Sequence, residues 1–290
     1  MLNNISLQSN PWVRLMRLDR PIGTYLLLWP TYWALWFAGS GSPSLKNLII
    51  FTLGVIIMRA AGCVINDYAD RHVDGAVERT SARPLPNGEI KPHHALALFG
   101  FLLLTGLLLV LQTNLMTIAL SLVGLLLATT YPFLKRITHL PQLGLGAAWA
   151  WAVPMAFAAE RQQLPEGLWL VFVAVILWTI AFDTYYAMVD RRDDLMVGIK
   201  STAILFGRHD LSVIVLLQLG MLLLMLMAGN YFDRGWIYTF GLFAAGVYFI
   251  NQHRVARSRE PEACFSAFLN NHRVGMVVFI GLALDYLIEL

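Results

Sequence analysis

The chain has 290 residues, of which 58% are hydrophobic and 13% are charged, and its formal net charge is +3. A typical soluble domain carries about 25% charged residues, so this composition excludes an ordinary soluble protein and indicates a polytopic membrane protein. At about 20 residues for each spanning helix, the length allows about eight or nine helices joined by short loops.

Nine apolar segments follow one another along the chain, and each is predicted to be a membrane-spanning helix. They lie at about residues 22–40, 45–65, 95–112, 115–132, 140–159, 166–187, 211–229, 235–252 and 273–290. Residues 1–20 have no apolar stretch and contain three arginines, so a cleavable signal peptide is not expected. We therefore predict an all-α bundle of about nine transmembrane helices.

The distribution of positive charge predicts the orientation of this bundle. The N-terminal arm and the loops after the second, fourth, sixth and eighth segments contain 16 of the 21 Lys and Arg residues. Positive residues are concentrated on the cytoplasmic side of membrane proteins, so these loops are expected to face the cytoplasm. Two of them, at about 66–94 and 188–210, are long enough to suggest a functional role.

The first long loop opens with an acidic motif that continues the second segment. It reads NDYADRHVD, from Asn66 to Asp74. Residues three, four and seven positions apart lie on one helix face, so the oxygens of this motif are expected to form a column. Its members are Asn66, Asp67, Asp70 and Asp74.

A second acidic motif, DRRDD, runs from Asp190 to Asp194 at the end of the sixth segment, with Asp183 two turns earlier. Like charges at this spacing repel each other, so a cation is expected between them. Mg²⁺ accepts one or two carboxylates and completes its coordination with water and phosphate oxygens. Two such motifs on one side of the membrane therefore predict a shared site for Mg²⁺ and a diphosphate. The alternative is a solvated loop in which the aspartates pair with Arg71, Arg79, Arg191 and Arg192.

Basic residues on the same side are candidates for binding the diphosphate, because Arg and Lys form charge-assisted hydrogen bonds with phosphate oxygens. Tyr131 and Lys135 lie four residues apart at the end of the fourth segment, which places them on one helix face. The other candidates are Arg71, Arg79, Arg136 and Lys200, and Arg83 and Lys91 follow the first acidic motif on the same side. The alternative is that these cations only anchor the loops on the cytoplasmic side.

Arg59 differs from these cations because it lies inside the second segment, two turns before Asn66. A guanidinium group at this depth requires an acidic partner. Two partners remain open: Asp183 within the protein, or the carboxylate of an acidic substrate.

Other classes of site are not indicated. Cys63 and Cys264 form no disulfide or zinc pattern, and the seven histidines form no metal-binding motif. Nucleotide-binding glycine motifs are absent from the sequence. We expect no nucleic-acid partner.

The acidic motifs resemble those of the UbiA superfamily of intramembrane prenyltransferases, and the similarity covers nearly the whole chain. The shared patterns are NDxxDxxxD at 66–74, YxxxK at 131–135 and DxxxD at 190–194. The segments RLDRPIG from Arg17, RPLP from Arg83 and GIKSTAILFG from Gly198 look like the bacterial branch that prenylates 4-hydroxybenzoate.

This resemblance implies one prenyltransferase domain over residues 1–290, with helices around a central cavity under a cytoplasmic cap, in a bacterial inner membrane. The implied reaction moves a polyprenyl group from its diphosphate to the ring carbon ortho to the hydroxyl of 4-hydroxybenzoate, in ubiquinone biosynthesis. The implied partners are those two substrates and the lipid bilayer.

The family's Mg²⁺ and diphosphate site would fall on Asn66, Asp70, Asp190 and Asp194, with Asp67 and Asp74 nearby. Asp70, Asp190 and Asp194 are the catalytic candidates, and Asp190 is the candidate base for the ring proton.

Three other functions were weighed against this one. A related prenyltransferase could use homogentisate, a naphthoate or haem as its acceptor. A CDP-alcohol phosphotransferase is excluded, because Glu78, Pro92 and Leu96 stand where its motif requires one alanine and two aspartates. A cation-coupled transporter would place its carboxylates near the middle of the membrane, whereas most of these lie at one edge.

Overall fold

The computed structural model describes residues 10–71 and 82–288, which form helices and turns and contain no strand. The predicted all-α fold is confirmed for these residues. The helices are α1 (Pro11–Leu15), α2 (Ile22–Ala38), α3 (Leu45–Asp70), α4 (Pro92–Val110), α5 (Leu115–Leu134), α6 (Pro141–Ala150), α7 (Ala152–Arg161), α8 (Gly167–Val189), α9 (Arg191–Val197), α10 (Thr202–Phe206), α11 (Asp210–Tyr231), α12 (Trp236–Ala256) and α13 (Pro261–Ile288), with a 3₁₀ turn at Gly207–His209.

Within residues 10–71 and 82–288, six helical stretches are long and apolar enough to cross a membrane. They are α3, α4, α5, α8, the run Thr202–Tyr231 and α13. Helices α4 and α5 also leave large apolar side chains exposed, among them Leu104, Leu122 and Leu126. An exposed apolar surface of this kind is expected where a protein faces lipid. The protein is therefore a multi-pass membrane protein.

Local sequence signals explain where several helices begin. The side chain of Ser44 accepts a hydrogen bond from the backbone N–H of Asn47 and caps α3, and Asn114 caps α5 in the same way through Thr117. Proline occupies the first position of α4 and α6, where its missing N–H costs no hydrogen bond.

Two predicted segments differ from the observed helices. The fifth segment is divided at Trp151 into α6 and α7, and Pro154 in the first turn of α7 has no N–H to offer the carbonyl of Ala150. The ninth segment was predicted to begin near residue 273, but α13 begins at Pro261. Polar residues in the first half of α13 concealed it. One of them, Asn271, is buried and accepts a hydrogen bond from the Trp178 indole.

The centre of the bundle lies between α2, α8 and α13. The rings of Trp33 in α2 and Trp178 in α8 are fully buried, with centroids 5.3 Å apart. Both indole N–H groups have acceptors on α13, because Trp33 donates to the carbonyl of Gly275 at 3.1 Å and Trp178 to Asn271 at 3.0 Å. These contacts hold three long helices in register, and the acidic end of α8 is carried by this scaffold.

The last two helices, α12 and α13, approach each other closely where two glycines meet. A β-carbon added to Gly281 would lie 2.9 Å from the α-carbon of Gly241, and one added to Gly241 would lie 3.0 Å from the α-carbon of Gly281. Small residues at such crossings let helix backbones pack closely within a membrane.

We expect Gly281→Ala to destabilise the fold, because the added methyl group meets backbone atoms that cannot move independently. Overpacking of this kind costs about 1–3 kcal/mol, so the thermal unfolding midpoint in detergent should fall by several degrees. Gly100→Ala is the matched control, because nothing lies within 4 Å of an added β-carbon there. Equal midpoints for the two variants would contradict the close crossing.

Candidate active site

One cavity of about 1020 Å³ brings most of the predicted site residues together. Nine of them line its wall: Arg59, Asn66, Asp67, Asp70, Tyr131, Lys135, Asp190, Asp194 and Lys200. Two others, Arg71 and Arg136, are not among the lining residues. Asp74 and Arg79 lie outside the part of the chain that the structure describes.

The first acidic motif begins at the end of α3, and its two described aspartates, Asp67 and Asp70, are paired with cations. Asp70 is buried, and its Oδ2 accepts a hydrogen bond from Lys135 Nζ. Lys135 directly follows α5, one turn after Tyr131, so the two members of the predicted pair reach the same cavity. The first acidic motif and the Tyr131–Lys135 pair therefore meet in an ion pair between Asp70 and Lys135, which are 65 residues apart in sequence.

Asp67 joins two further segments to this wall. Arg17 Nη2 lies 3.0 and 2.9 Å from its two carboxylate oxygens, and Arg83 Nη1 lies 3.0 Å from Oδ1. Only 2% of the Asp67 side chain is exposed, so both of these guanidinium groups pack against a buried anion. Coordination of a metal ion by Asp67 would compete with both arginines.

Four further arginines line the cavity near its mouth: Arg14, Arg17, Arg20 and Arg83. Sequence reasoning counted Arg83 among the basic residues that could bind the diphosphate, but it assigned no role to the other three. Arg17 and Arg83 open two of the segments that resemble the prenyltransferase branch, which was the available signal. Their partner Asp67 lies 50 and 16 residues away in sequence, so helical spacing did not reveal the contacts.

The second acidic motif lies at the junction of α8 and α9. Asp190 follows the last residue of α8, Asp194 lies one turn into α9, and the backbone N–H of Asp194 donates to the carbonyl of Asp190 at 2.9 Å. Lys200 lines the cavity, and its ammonium donates to the carbonyl of Ile137 at 3.0 Å.

Arg71 and Arg136 instead stabilise the C-terminal turn of α3. Arg71 Nη1 donates to the carbonyl of Tyr68 at 2.6 Å, and Arg136 Nη2 donates to the carbonyl of Ala69 at 2.5 Å. Cations at a helix C-terminus complement its partial negative charge. The contact of these two residues with a diphosphate stays a prediction.

The deep end of the cavity contains a second polar group. Arg59 lies there, with its guanidinium carbon 5.7 Å from the centre of the Trp149 ring, and Asp183 shares the wall. Gly23 leaves the space that the Arg59 guanidinium occupies, since a β-carbon on Gly23 would overlap it. In the described segments Arg59 forms no ion pair, so the direct Arg59–Asp183 salt bridge weighed above is not formed.

The oxygen donors of the cavity suit a metal ion that is held together with a phosphorylated ligand. Among residues 10–71 and 82–288, no three His, Cys, Asp or Glu side chains gather closely enough to hold a metal. Mg²⁺ does not require such a cage, because it binds one or two carboxylates and keeps other positions for water and phosphate. Asn66, Asp70, Asp190 and Asp194 supply hard oxygen donors of the kind it prefers.

Comparisons with known proteins place these residues in a family. The model of the UbiA prenyltransferase family matches residues 27–278. A protein from Aeromonas salmonicida (strain A449), named 4-hydroxybenzoate octaprenyltransferase, is 57% identical over 277 residues, which are 96% of this chain and 96% of that protein. A protein of the same name from Photobacterium profundum is 55% identical over 97% of this chain and 98% of its own length.

Solved structures share the fold. The apo structure of a UbiA homolog from Aeropyrum pernix K1 superposes with a TM-score of 0.80 at 25% identity, over 90% of this chain and 97% of that one. A UbiA homolog from Archaeoglobus fulgidus, bound to GPP and Mg²⁺, superposes with a TM-score of 0.76 at 19% identity, over 96% and 99% of the two chains.

We expect Asp67→Asn to destabilise the protein, because two guanidinium groups then face a neutral amide. Breaking a fully buried ion pair costs about 3–5 kcal/mol; we expect about 2–3 kcal/mol here, because both arginines keep some contact with water. The measurement is thermal unfolding in detergent.

Glu89→Gln is the control for this prediction. Glu89 pairs with Arg14 at 2.6 Å near the same surface, and hydrogen bonds from Arg14 and Asn87 lower the pKa of its carboxyl. This pair is more exposed, so its loss should cost less than about 1 kcal/mol. Equal destabilisation by both variants would contradict the anchoring role of Asp67.

Proposed function

The chain belongs to the UbiA prenyltransferase family, and from its site we infer that it transfers a polyprenyl group from polyprenyl diphosphate to 4-hydroxybenzoate. This is an early membrane step of ubiquinone biosynthesis. One observation carries the assignment: a single cavity is lined by both acidic motifs, by the cations around them and, at its deep end, by Arg59. The cavity thus offers a diphosphate site and a carboxylate site within one space.

The finer architecture is part of the proposal. The whole chain forms one prenyltransferase domain, in which about nine helices cross the bacterial inner membrane. The loops that carry the two acidic motifs form a cap on the cytoplasmic side. This orientation is supported by the 16 of 21 Lys and Arg residues on that side.

Asn66, Asp70, Asp190 and Asp194 are the residues that would hold Mg²⁺ with the diphosphate. Bound there, Mg²⁺ would supply positive charge that stabilises the departing diphosphate. Asp67 is assigned to anchoring Arg17 and Arg83, because its two oxygens already accept hydrogen bonds from them. Asp74 stays a predicted ligand outside the described residues.

The cations of the cavity wall stabilise the charge that develops on the leaving group. The bond between the allylic carbon and the diphosphate oxygen breaks, and its electron pair leaves with the oxygen. Lys135, Arg17 and Arg83 line the mouth where that charge appears, and donors fixed in advance lower the barrier most effectively. Tyr131, at the start of the YxxxK pair, is proposed to donate its hydroxyl hydrogen to the diphosphate.

The deeper part of the cavity excludes water from the reacting carbon and binds the acceptor ring. Apolar groups, including Phe182, Phe268 and Leu145, line it and exclude water from the allylic centre while the ring carbon forms the new C–C bond. Arg59 is proposed to bind the carboxylate of 4-hydroxybenzoate and so to orient the ring. Asp190 is proposed to accept the ring proton that the new bond displaces.

Purified protein should convert 4-hydroxybenzoate and a polyprenyl diphosphate to the prenylated acid, as measured by product mass. Donors of several lengths will show which tail the protein accepts. Chelation of divalent metal should abolish the reaction, and added Mg²⁺ should restore it. Failure with 4-hydroxybenzoate but turnover with homogentisate, a naphthoate or haem would reassign the acceptor within the family.

Asp70→Asn and Asp190→Asn should each lower kcat/KM by about 100-fold or more, because each removes a charge next to the reacting diphosphate. Asp193→Asn is the matched control, since Asp193 lies in the same motif but is not among the residues lining the cavity. Full activity of both test variants would overturn the site assignment.

Arg59→Leu should raise the KM for 4-hydroxybenzoate by about 10- to 100-fold, since a hydrogen bond to a charged group contributes about 1.5–3 kcal/mol. The KM for the polyprenyl diphosphate should change little and serves as the internal control. An unchanged KM for the aromatic acid would exclude Arg59 as its partner.

A further inference from the structure

Helix α9 carries the second acidic motif, yet packing does not explain its position. It has seven residues, and of its side chains that the structure describes, none is buried. Leu195 and Met196 are 62% and 78% exposed. A short helix without a buried face requires polar contacts at its ends to fix its orientation. Those contacts therefore decide where Asp190 and Asp194 point.

At its first residue, α9 is held by a buried carboxylate from another helix. Arg191 Nη2 donates to Asp210 Oδ2 at 2.5 Å. Asp210 begins α11, and its side chain is fully buried. Its Oδ1 also accepts from the backbone N–H of Leu211 at 2.7 Å, so its position is set by its own helix.

A second arginine also binds the Asp210 carboxylate. Arg259 lies in the turn between α12 and α13, and its Nη2 and Nε donate to Asp210 Oδ1 at 2.8 and 3.1 Å. Arg259 has a φ of +58°, a left-handed conformation that is uncommon for a residue with a side chain. We call Asp210, Arg191 and Arg259 the Asp210 clasp, because they join three helix ends.

The segment after α9 is tied to the opposite wall of the cavity. The backbone N–H of Ile199 donates to the carbonyl of Asp194, and that of Lys200 donates to the carbonyl of Lys135 at 3.0 Å. Lys135 is the cation paired with Asp70. The second motif is thus held at its start by the Asp210 clasp. After its end, the chain is held by the hydrogen bond from Lys200 to Lys135, which contacts the first motif.

We propose that Asp210 and Arg191 are positioning residues for the prenyl transfer. They set the orientation of Asp190 and Asp194 toward the metal and the diphosphate without contacting either. Arg191 would act by orienting the neighbouring aspartates, because it is not among the residues lining the cavity and its guanidinium binds Asp210. This inference rests on the proposed function, which places a metal-bound diphosphate between the two motifs.

The test compares Arg191→Gln with Arg192→Gln in the purified full chain. Both remove one positive charge from the same turn of α9, so they change the long-range field equally. Arg192 is exposed, and no described contact joins it to Asp210. Binding of Mg²⁺ with inorganic pyrophosphate is measured by calorimetry, and unfolding is measured without ligand.

Arg191→Gln should weaken the binding of Mg²⁺ with pyrophosphate by about 10-fold or more, as loss of a group that orients metal ligands does elsewhere. Arg192→Gln should bind as the wild type does. Asp210→Asn should weaken binding at least as much as Arg191→Gln, because it also removes the charged partner of Arg259. The double variant should be no weaker than Asp210→Asn alone, because both substitutions break the same contact between Arg191 and Asp210. Arg191→Lys keeps the charge and should restore part of the affinity.

Two outcomes overturn the clasp as a positioning device. One is an Arg191→Gln variant with a lower unfolding temperature but wild-type affinity for the ligands, which would show a structural role alone. The other is an equal loss in Arg191→Gln and Arg192→Gln, which would show a general effect of charge. If the wild type itself did not bind Mg²⁺ and pyrophosphate, the proposed function would fail first.

Discussion

Ionic side chains in a membrane protein are stable only where protein groups replace the water that they have lost, and this constraint organises the present structure. Three of its buried aspartates have cationic partners at the cavity or beside it: Asp67 has Arg17 and Arg83, Asp70 has Lys135, and Asp210 has Arg191 and Arg259. Each set joins elements that are distant in sequence. The same contacts that compensate buried charge therefore bring the walls of the cavity together.

Charged residues of the same type, close together in sequence, also differ in the contacts that they form. Asp67 and Asp70 are three positions apart on one helix, but Asp67 is paired with Arg17 and Arg83, whereas Asp70 is paired with Lys135. Arg191 and Arg192 are neighbours, but one contacts a buried carboxylate and the other is exposed. Residues of the same type within one motif thus have different partners.

Sequence reasoning located the parts of the site that lie within single helices. The 3.6-residue period placed Asn66 and Asp70 on one face, and likewise Tyr131 and Lys135, since these relations depend only on helix geometry. It did not find the partners of Asp67 or Asp210, because those contacts cross loops and depend on packing. The start of α13 was missed for a related reason: its polar residues, such as Asn271, point into the protein and not toward lipid.

The ion pair between Lys135 and Asp70 links the proposed binding of a metal ion to the binding of a diphosphate. At the proposed site, a divalent ion that binds Asp70 without a diphosphate would compete with Lys135 for the carboxylate. An ion that arrives with a diphosphate offers the lysine a replacement. Each of the two ligands then raises the affinity for the other by the same factor, as thermodynamic linkage requires. A rise in either ligand would therefore fill the site with both, and neither would occupy it strongly without the other.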